Sequence, residues 1–156
     1  MKGAWVLQLA LLLLASPLGC GAASSSDSAK ELRDAAFAGD ATQVEELLAA
    51  GADVHGTDDN SQTALHYVAG SGSEAVATAL LRAGADVNQL DSNGWTALMI
   101  TARYGHSALL QVLIDAGADL SIRSNIGRDA LDLAKSKWKK DCIALLEAAL
   151  AKKQDL

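Results

Sequence analysis

Between residues 51 and 131 the chain repeats itself every 33 residues. GADV at 51–54 returns at 84–87, and returns again as GADL at 117–120. TAL at 63–65 returns at 96–98 and as DAL at 129–131, while the pairs Leu47-Leu48, Leu80-Leu81 and Leu113-Ile114 keep the same step. Three markers sharing one period restrict the fold to a row of small units, each burying its apolar face against its neighbours.

Each unit reads as two short helices and a turn. In the second, Thr63 is placed to cap a helix through Ala69, with Leu65, Val68 and Ala69 on one face. Gly72 interrupts it. Ser73 then opens a second helix with Val76, Ala77, Leu80 and Leu81 as its apolar stripe. Gly84 falls where a left-handed C-terminal cap is wanted, since glycine carries no Cβ penalty there. The stretch 86–94, rich in Asp, Asn, Ser and Gly, has the composition of a tight turn or hairpin. One such helix pair cannot bury both stripes, but stacked pairs can.

This pattern resembles the ankyrin repeat over about residues 29–152, most closely in TALH at 63–66, GADVN at 84–88 and GH at 105–106. The resemblance implies an all-α solenoid of four stacked helix–turn–helix units with hairpin loops projecting at a right angle. It also implies a concave face suited to binding another protein. The units are expected at about 29–57, 58–90, 91–123 and 124–152, with a tail at 153–156. The family's proline after threonine is replaced by Ala64, Ala97 and Ala130, and its histidine by Met99 and Asp132 in units three and four. Trp138 stands where Gly39, Gly72 and Gly105 stand, so a distorted fourth inter-helix turn is expected. The ends read as caps. Unit one starts at its first helix, 29–38, and unit four carries Lys135 and Glu147 at positions that are apolar elsewhere. Polar substitution at stacking positions keeps terminal repeats soluble, so four self-capped units and a monomer are expected.

Ahead of the repeats, Lys2 precedes an apolar run of 12 residues, 4–15, followed by Pro17 and the small residues 19–23. A helix of that length spans about 18 Å, short of a bilayer's hydrocarbon core. A charged start, a short apolar core and a small-residue exit form a secretory signal peptide, expected at 1–23 with cleavage before Ser24. The mature chain would then be secreted or periplasmic. The alternative is a membrane-attached lipoprotein acylated at Cys20. Pro17 and Leu18 fit the lipobox pattern poorly, although the serine-rich segment 24–28, read as flexible, would serve as a tether. Cleavage would leave Cys142 as the single thiol, without a disulfide partner.

Chemistry-bearing residues do not form a catalytic or metal motif. His55, His66 and His106 lack the spacing of a zinc site, and His66 and His106 read as framework groups joining neighbouring units. The stretch 91–94 starts like a calcium loop, but Trp95 and Ala102 occupy places where ligands are needed, so it reads as a turn. Asp53, Asp86 and Asp119 recur once per period, as turn-stabilising side chains would. No GxSxG, P-loop or GxGxxG is present, Asn-x-Ser/Thr is absent, and Cys142 reads as a buried small hydrophobe. No cofactor is expected, and the competing reading of a small hydrolase or metal-dependent enzyme has no motif behind it.

Function in a repeat array resides in exposed residues that break the repeat. The resemblance places contact positions in the hairpins, at Gln62, Trp95 and Arg128. It places others at first-helix ends: Gly70 and Ser71, Arg103 and Tyr104, Ser136 and Lys137. Trp95, Arg103 and Tyr104 combine residue types enriched in binding hot spots, with Arg123, Arg128 and Lys137 adding positive charge. Packing within the repeats is the competing role for Trp95 and Tyr104. Charge is segregated. Residues 24–121 hold 14 acidic and 4 basic side chains, a net of −10, whereas 122–156 hold 5 acidic and 8 basic, a net of +3. With a chain total of −6, nucleic acid is not an expected partner, and Lys137, Lys139 and Lys140 read as solvated capping lysines. The expected function is an exported module for protein–protein interaction, with a lipid-anchored envelope scaffold as the alternative.

Overall fold

A computed structural model describes residues 25–154. The proposed leader, Cys20 and residues 155–156 lie outside the described residues. Among the described residues eight α-helices follow in sequence, in four pairs: α1 (Ser25–Ala38) with α2 (Ala41–Ala49), and α3 (Ala64–Ser71) with α4 (Glu74–Arg82). The later pairs are α5 (Ala97–Tyr104) with α6 (Ser107–Asp115), and α7 (Ala130–Ser136) with α8 (Lys140–Gln154). Among the described residues there is no strand. First helices stack in one layer, α1 on α3 on α5 on α7. Second helices stack in another, α2 on α4 on α6 on α8.

The core follows the 33-residue period. Ala35, Val68, Thr101 and Ala134 are buried at one position of the first-helix layer; Leu80, Leu113 and Leu146 are buried at one position of the second. Thr101 is tolerated there because its hydroxyl donates to the Ala97 carbonyl within its own helix (2.9 Å). Cys142 is fully buried where Val76 and Leu109 stand in earlier units, and burial pushes its thiol above the ordinary range. Lys135 and Glu147 replace the apolar residues of earlier units as expected, and they pair with each other at 3.2 Å on the exposed end of the stack.

Several helix starts carry a capping side chain. Thr96 Oγ1 accepts from the Met99 N–H (3.3 Å). Asp129 accepts from the Asp132 N–H (2.9 Å), while Asp132 accepts in return from the Asp129 N–H (3.4 Å), a reciprocal capping box. Losing the family's proline therefore does not move the helix starts, because the preceding residue still ends the extended segment and satisfies an orphan donor.

Two expectations need correction. Residues 25–28 are the first turn of α1, not a flexible segment, and α1 begins four residues before Ala29. Asp27 in that turn suits the positive end of the helix dipole. Ala29 is buried against Gly56, and Arg33 donates to the Gly56 carbonyl (3.2 Å), so α1 is anchored along this turn by the loop beside it. Nor is the fourth inter-helix turn distorted. Trp138 takes φ +55°, the left-handed conformation of Gly39, Gly72 and Gly105. The amides of Trp138 and Lys139 bond the Lys135 and Ala134 carbonyls, as those of Gly39 and Asp40 bond Ala36 and Ala35.

Candidate functional site: the concave groove

Each hairpin is a five-residue turn closed by one backbone bond: Asp58 N–H to Gln62 O (3.1 Å), Asp91 N–H to Trp95 O (2.9 Å) and Ser124 N–H to Arg128 O (2.9 Å). The first residue of each also accepts inside the turn. Asp91 Oδ1 receives the Asn93 and Trp95 amides, both at 2.8 Å, so this stretch is a turn built around its carboxylate. Asp53, Asp86 and Asp119 do similar work one step earlier, each accepting from the amide two residues on at 2.9 Å. Successive hairpins are joined in series: Ser92 N–H donates to Asn60 O (2.9 Å) and Asn125 N–H to Asn93 O (3.1 Å). The hairpin tips are thus one connected rail and not three independent loops.

His66 and His106 tie this rail and the first helices together. The Thr63 N–H donates to His66 Nδ1 (3.1 Å), so the ring proton resides on Nε2, which donates to the Trp95 carbonyl (3.1 Å). Burial pushes the His66 imidazole below its ordinary value of 6.5 and outweighs the pull of the Trp95 carbonyl and of Asp91. His106 Nε2 donates to the Gly70 carbonyl (3.1 Å), and its ring lies over Gly72, where a Cβ would come within 2.6 Å of Nδ1. Both histidines are framework groups that join units.

Between the rail and the first helices runs a groove in two connected parts. One, of about 500 Å³, is bordered by Phe37, Tyr67, Trp95, Tyr104 and Ile126. The other, of about 380 Å³, adds Arg128 and Lys137, and the two parts share Trp95, Arg103 and Ile126. The Arg103 guanidinium lies over the Trp95 ring, 5.1 Å from its centroid. Trp95 is half-buried against the core, whereas Tyr104 is 55% exposed and stacks on His106 with ring centroids 6.3 Å apart. Packing and exposure are thus divided between the two aromatics.

The other predicted residues separate. Gln62 lines the groove but is half-buried, and its amide donates to Asp91 (3.3 Å), which fixes one hairpin to the next. Arg128 and Lys137 are exposed on the second part of the groove. Arg123 lines neither part. It reaches the Asp129 carboxylate (3.7 Å) and donates to the Gly127 carbonyl (3.1 Å), bracing its own hairpin.

Sequence reasoning missed three residues of the groove. Phe37 is 64% exposed and meets Tyr67 edge-on at 6.3 Å. The Tyr67 hydroxyl donates to Asp58 (2.9 Å). Burial works to raise the Asp58 carboxyl, but bonds from Gln62, Tyr67 and Asn60 prevail and hold it below the ordinary range. Ile126 is 66% exposed at a hairpin tip where the two earlier units have Asn60 and Asn93. The signal was present in the alignment of units: Phe37 shares its position with Gly70, Arg103 and Ser136, a first-helix end.

Among the described residues no three His, Cys, Asp or Glu side chains are grouped to hold a metal ion, and no helix is long and apolar enough to cross a membrane. No curated protein matches the chain significantly. A family model for ankyrin repeats, three copies, matches residues 32–124 and 75–154, which together take in all four helix pairs. With the period, the paired helices, the left-handed turns and the joined hairpins, this match establishes that the chain belongs to the ankyrin-repeat family.

Proposed function

We propose that this chain is an exported ankyrin-repeat module that binds another protein in the groove between its hairpins and first helices. Ankyrin repeats generally mediate protein–protein interaction and are typically non-enzymatic scaffolds. The observation that carries the reading here is the continuous row of exposed or half-exposed apolar and aromatic side chains, Phe37, Tyr67, Trp95, Tyr104 and Ile126, ending at Arg103, Arg128 and Lys137. Large exposed apolar residues grouped along a concave surface, with an arginine already stacked on an indole, suit a partner's side chains. The leader 1–23 supports export, which would place the partner in an extracellular, luminal or periplasmic space.

Replacing the exposed groove residues Tyr104 and Ile126 together by alanine tests this. The expected result is loss of partners retained by the unaltered chain on affinity capture, with a melting temperature close to the original. A large fall in melting temperature, or unchanged capture, would move both residues from binding to packing. The intact mass of the chain from its native host tests export separately. A chain starting at Ser24 supports a free exported module, and one starting at an acylated Cys20 supports the anchored form.

A further inference from the structure

Trp138 has no place in the groove. It is 84% exposed, the most exposed of the large apolar side chains among the described residues, and it sits at the apex of the turn between α7 and α8. Its backbone is left-handed, at φ +55°, a conformation that an L-residue with a Cβ adopts at a cost and that the three equivalent turns assign to glycine. In those units the first residue after the glycine of the next unit lies close to it: Ser73 beside Gly39, His106 over Gly72, Lys139 over Gly105. Among the described residues Trp138 has no such neighbour, and its 84% exposure leaves room for a side chain. Freedom alone does not select an indole, which is both strained in its backbone and exposed to water.

Its sequence neighbours supply the second observation. Lys137, Lys139 and Lys140 flank it, and none of the three forms an ion pair among the described residues, whereas nearby Lys135 is held by Glu147. Lys137 is the C-cap of α7 and Lys140 the first residue of α8, so the cations sit on both sides of the indole. This is a local cluster on a chain whose net charge is −6.

We propose that this turn docks on an anionic lipid surface, with the Trp138 indole entering the interfacial layer and the three lysines facing the headgroups. A protruding indole flanked in sequence by the exposed Lys137 and Lys140 and by Lys139, whose stem lies over Gly105, matches the lipid interface in both its apolar and its charged requirements. A membrane needs only a protruding tip. A protein partner would need a pocket shaped for the indole, and a single-stranded nucleic acid would need several stacking platforms along a basic track. The remainder of the chain is acidic, which suits contact through one corner and opposes an extended polyanion lying across the solenoid.

Co-sedimentation of the full chain tests the proposal, using vesicles of phosphatidylcholine with about 30% phosphatidylserine against vesicles of phosphatidylcholine alone. Every variant carries the same N-terminus, so any contribution of the apolar leader cancels. The unaltered chain should prefer the anionic vesicles. Lys137→Gln, Lys139→Gln and Lys140→Gln combined should reduce partitioning by about 100-fold, from roughly fivefold per lysine. Trp138→Gly should reduce it by about tenfold, without loss of thermal stability, because glycine restores the residue of the other three turns. Partitioning that is equal on both vesicles, or unchanged in either variant, overturns the proposal. So does binding of polyglutamate or a single-stranded oligonucleotide by a chain that ignores the vesicles.

Discussion

Gly105 and Trp138 occupy the same position in successive units and share a left-handed backbone, yet Lys139 covers the first and nothing covers the second. The same contrast recurs between Ala102, fully buried, and Lys135, and between the half-buried Ile114 and the exposed Glu147. Where a further unit stacks, the residue is dictated by the space between helices. At the exposed end that constraint is removed, and solubility or contact decides. Units two and three therefore show what the fold requires, and unit four shows what the chain does once that requirement has been lifted.

Exchanging residues between the two regions should expose the difference. Ala102→Lys moves the unit-four residue into a fully buried site with no Glu147 to pair with, and should cost about 3–5 kcal/mol in urea unfolding. Gly72→Ala combines the left-handed backbone with a Cβ 2.6 Å from the His106 ring, whose own bond to Gly70 holds it in place; about 3 kcal/mol is expected. Trp138→Gly should act in the opposite direction and raise stability by about 1 kcal/mol, seen as a higher melting temperature. A loss of stability there would mean that the indole contributes packing.

The smallest expected change comes from pH. His66 is neutral and depressed in the folded chain, and Asp132 stands two periods on in unit four. Below an unfolded value near 6.5 the unfolded chain binds the proton more readily, so stability is complete above that pH and is lost as pH falls toward the folded value. His66→Gln should flatten this part of the melting-temperature profile relative to the unaltered chain.

Much of this architecture was legible because helix starts, glycine turns and apolar stripes are each written once per period. Thr96 and Asp129 cap where the repeat places them, and Leu80, Leu113 and Leu146 are buried in step. What escaped depends on tertiary contact. Serines at 25–28 favour turns by composition, but the docking of Ala29 and Arg33 against Gly56 draws this segment into α1. Trp138 reads as a distortion where the other units carry glycine, yet the turn keeps its geometry with a strained tryptophan instead. Half of the groove was visible as Trp95, Arg103 and Tyr104. Phe37 escapes because unit one reads as a cap, and Ile126 because the resemblance places hairpin contacts at Gln62, Trp95 and Arg128, two residues beyond the tip in each unit. Gln62 is expected as a hairpin contact and Arg123 as added positive charge, yet each is bonded to its own scaffold.

The central claim, that the groove receives a protein partner, is tested most directly by site-specific photocrosslinking in the native host. A benzophenone amino acid would replace Tyr104 in the groove or, separately, the exposed Gln111 on the second-helix layer. The groove position should yield a discrete covalent adduct with another protein, and the Gln111 position should not. Adducts from Gln111 alone, or none from Tyr104 under conditions where the chain is folded, would contradict the assignment of the groove as the binding surface.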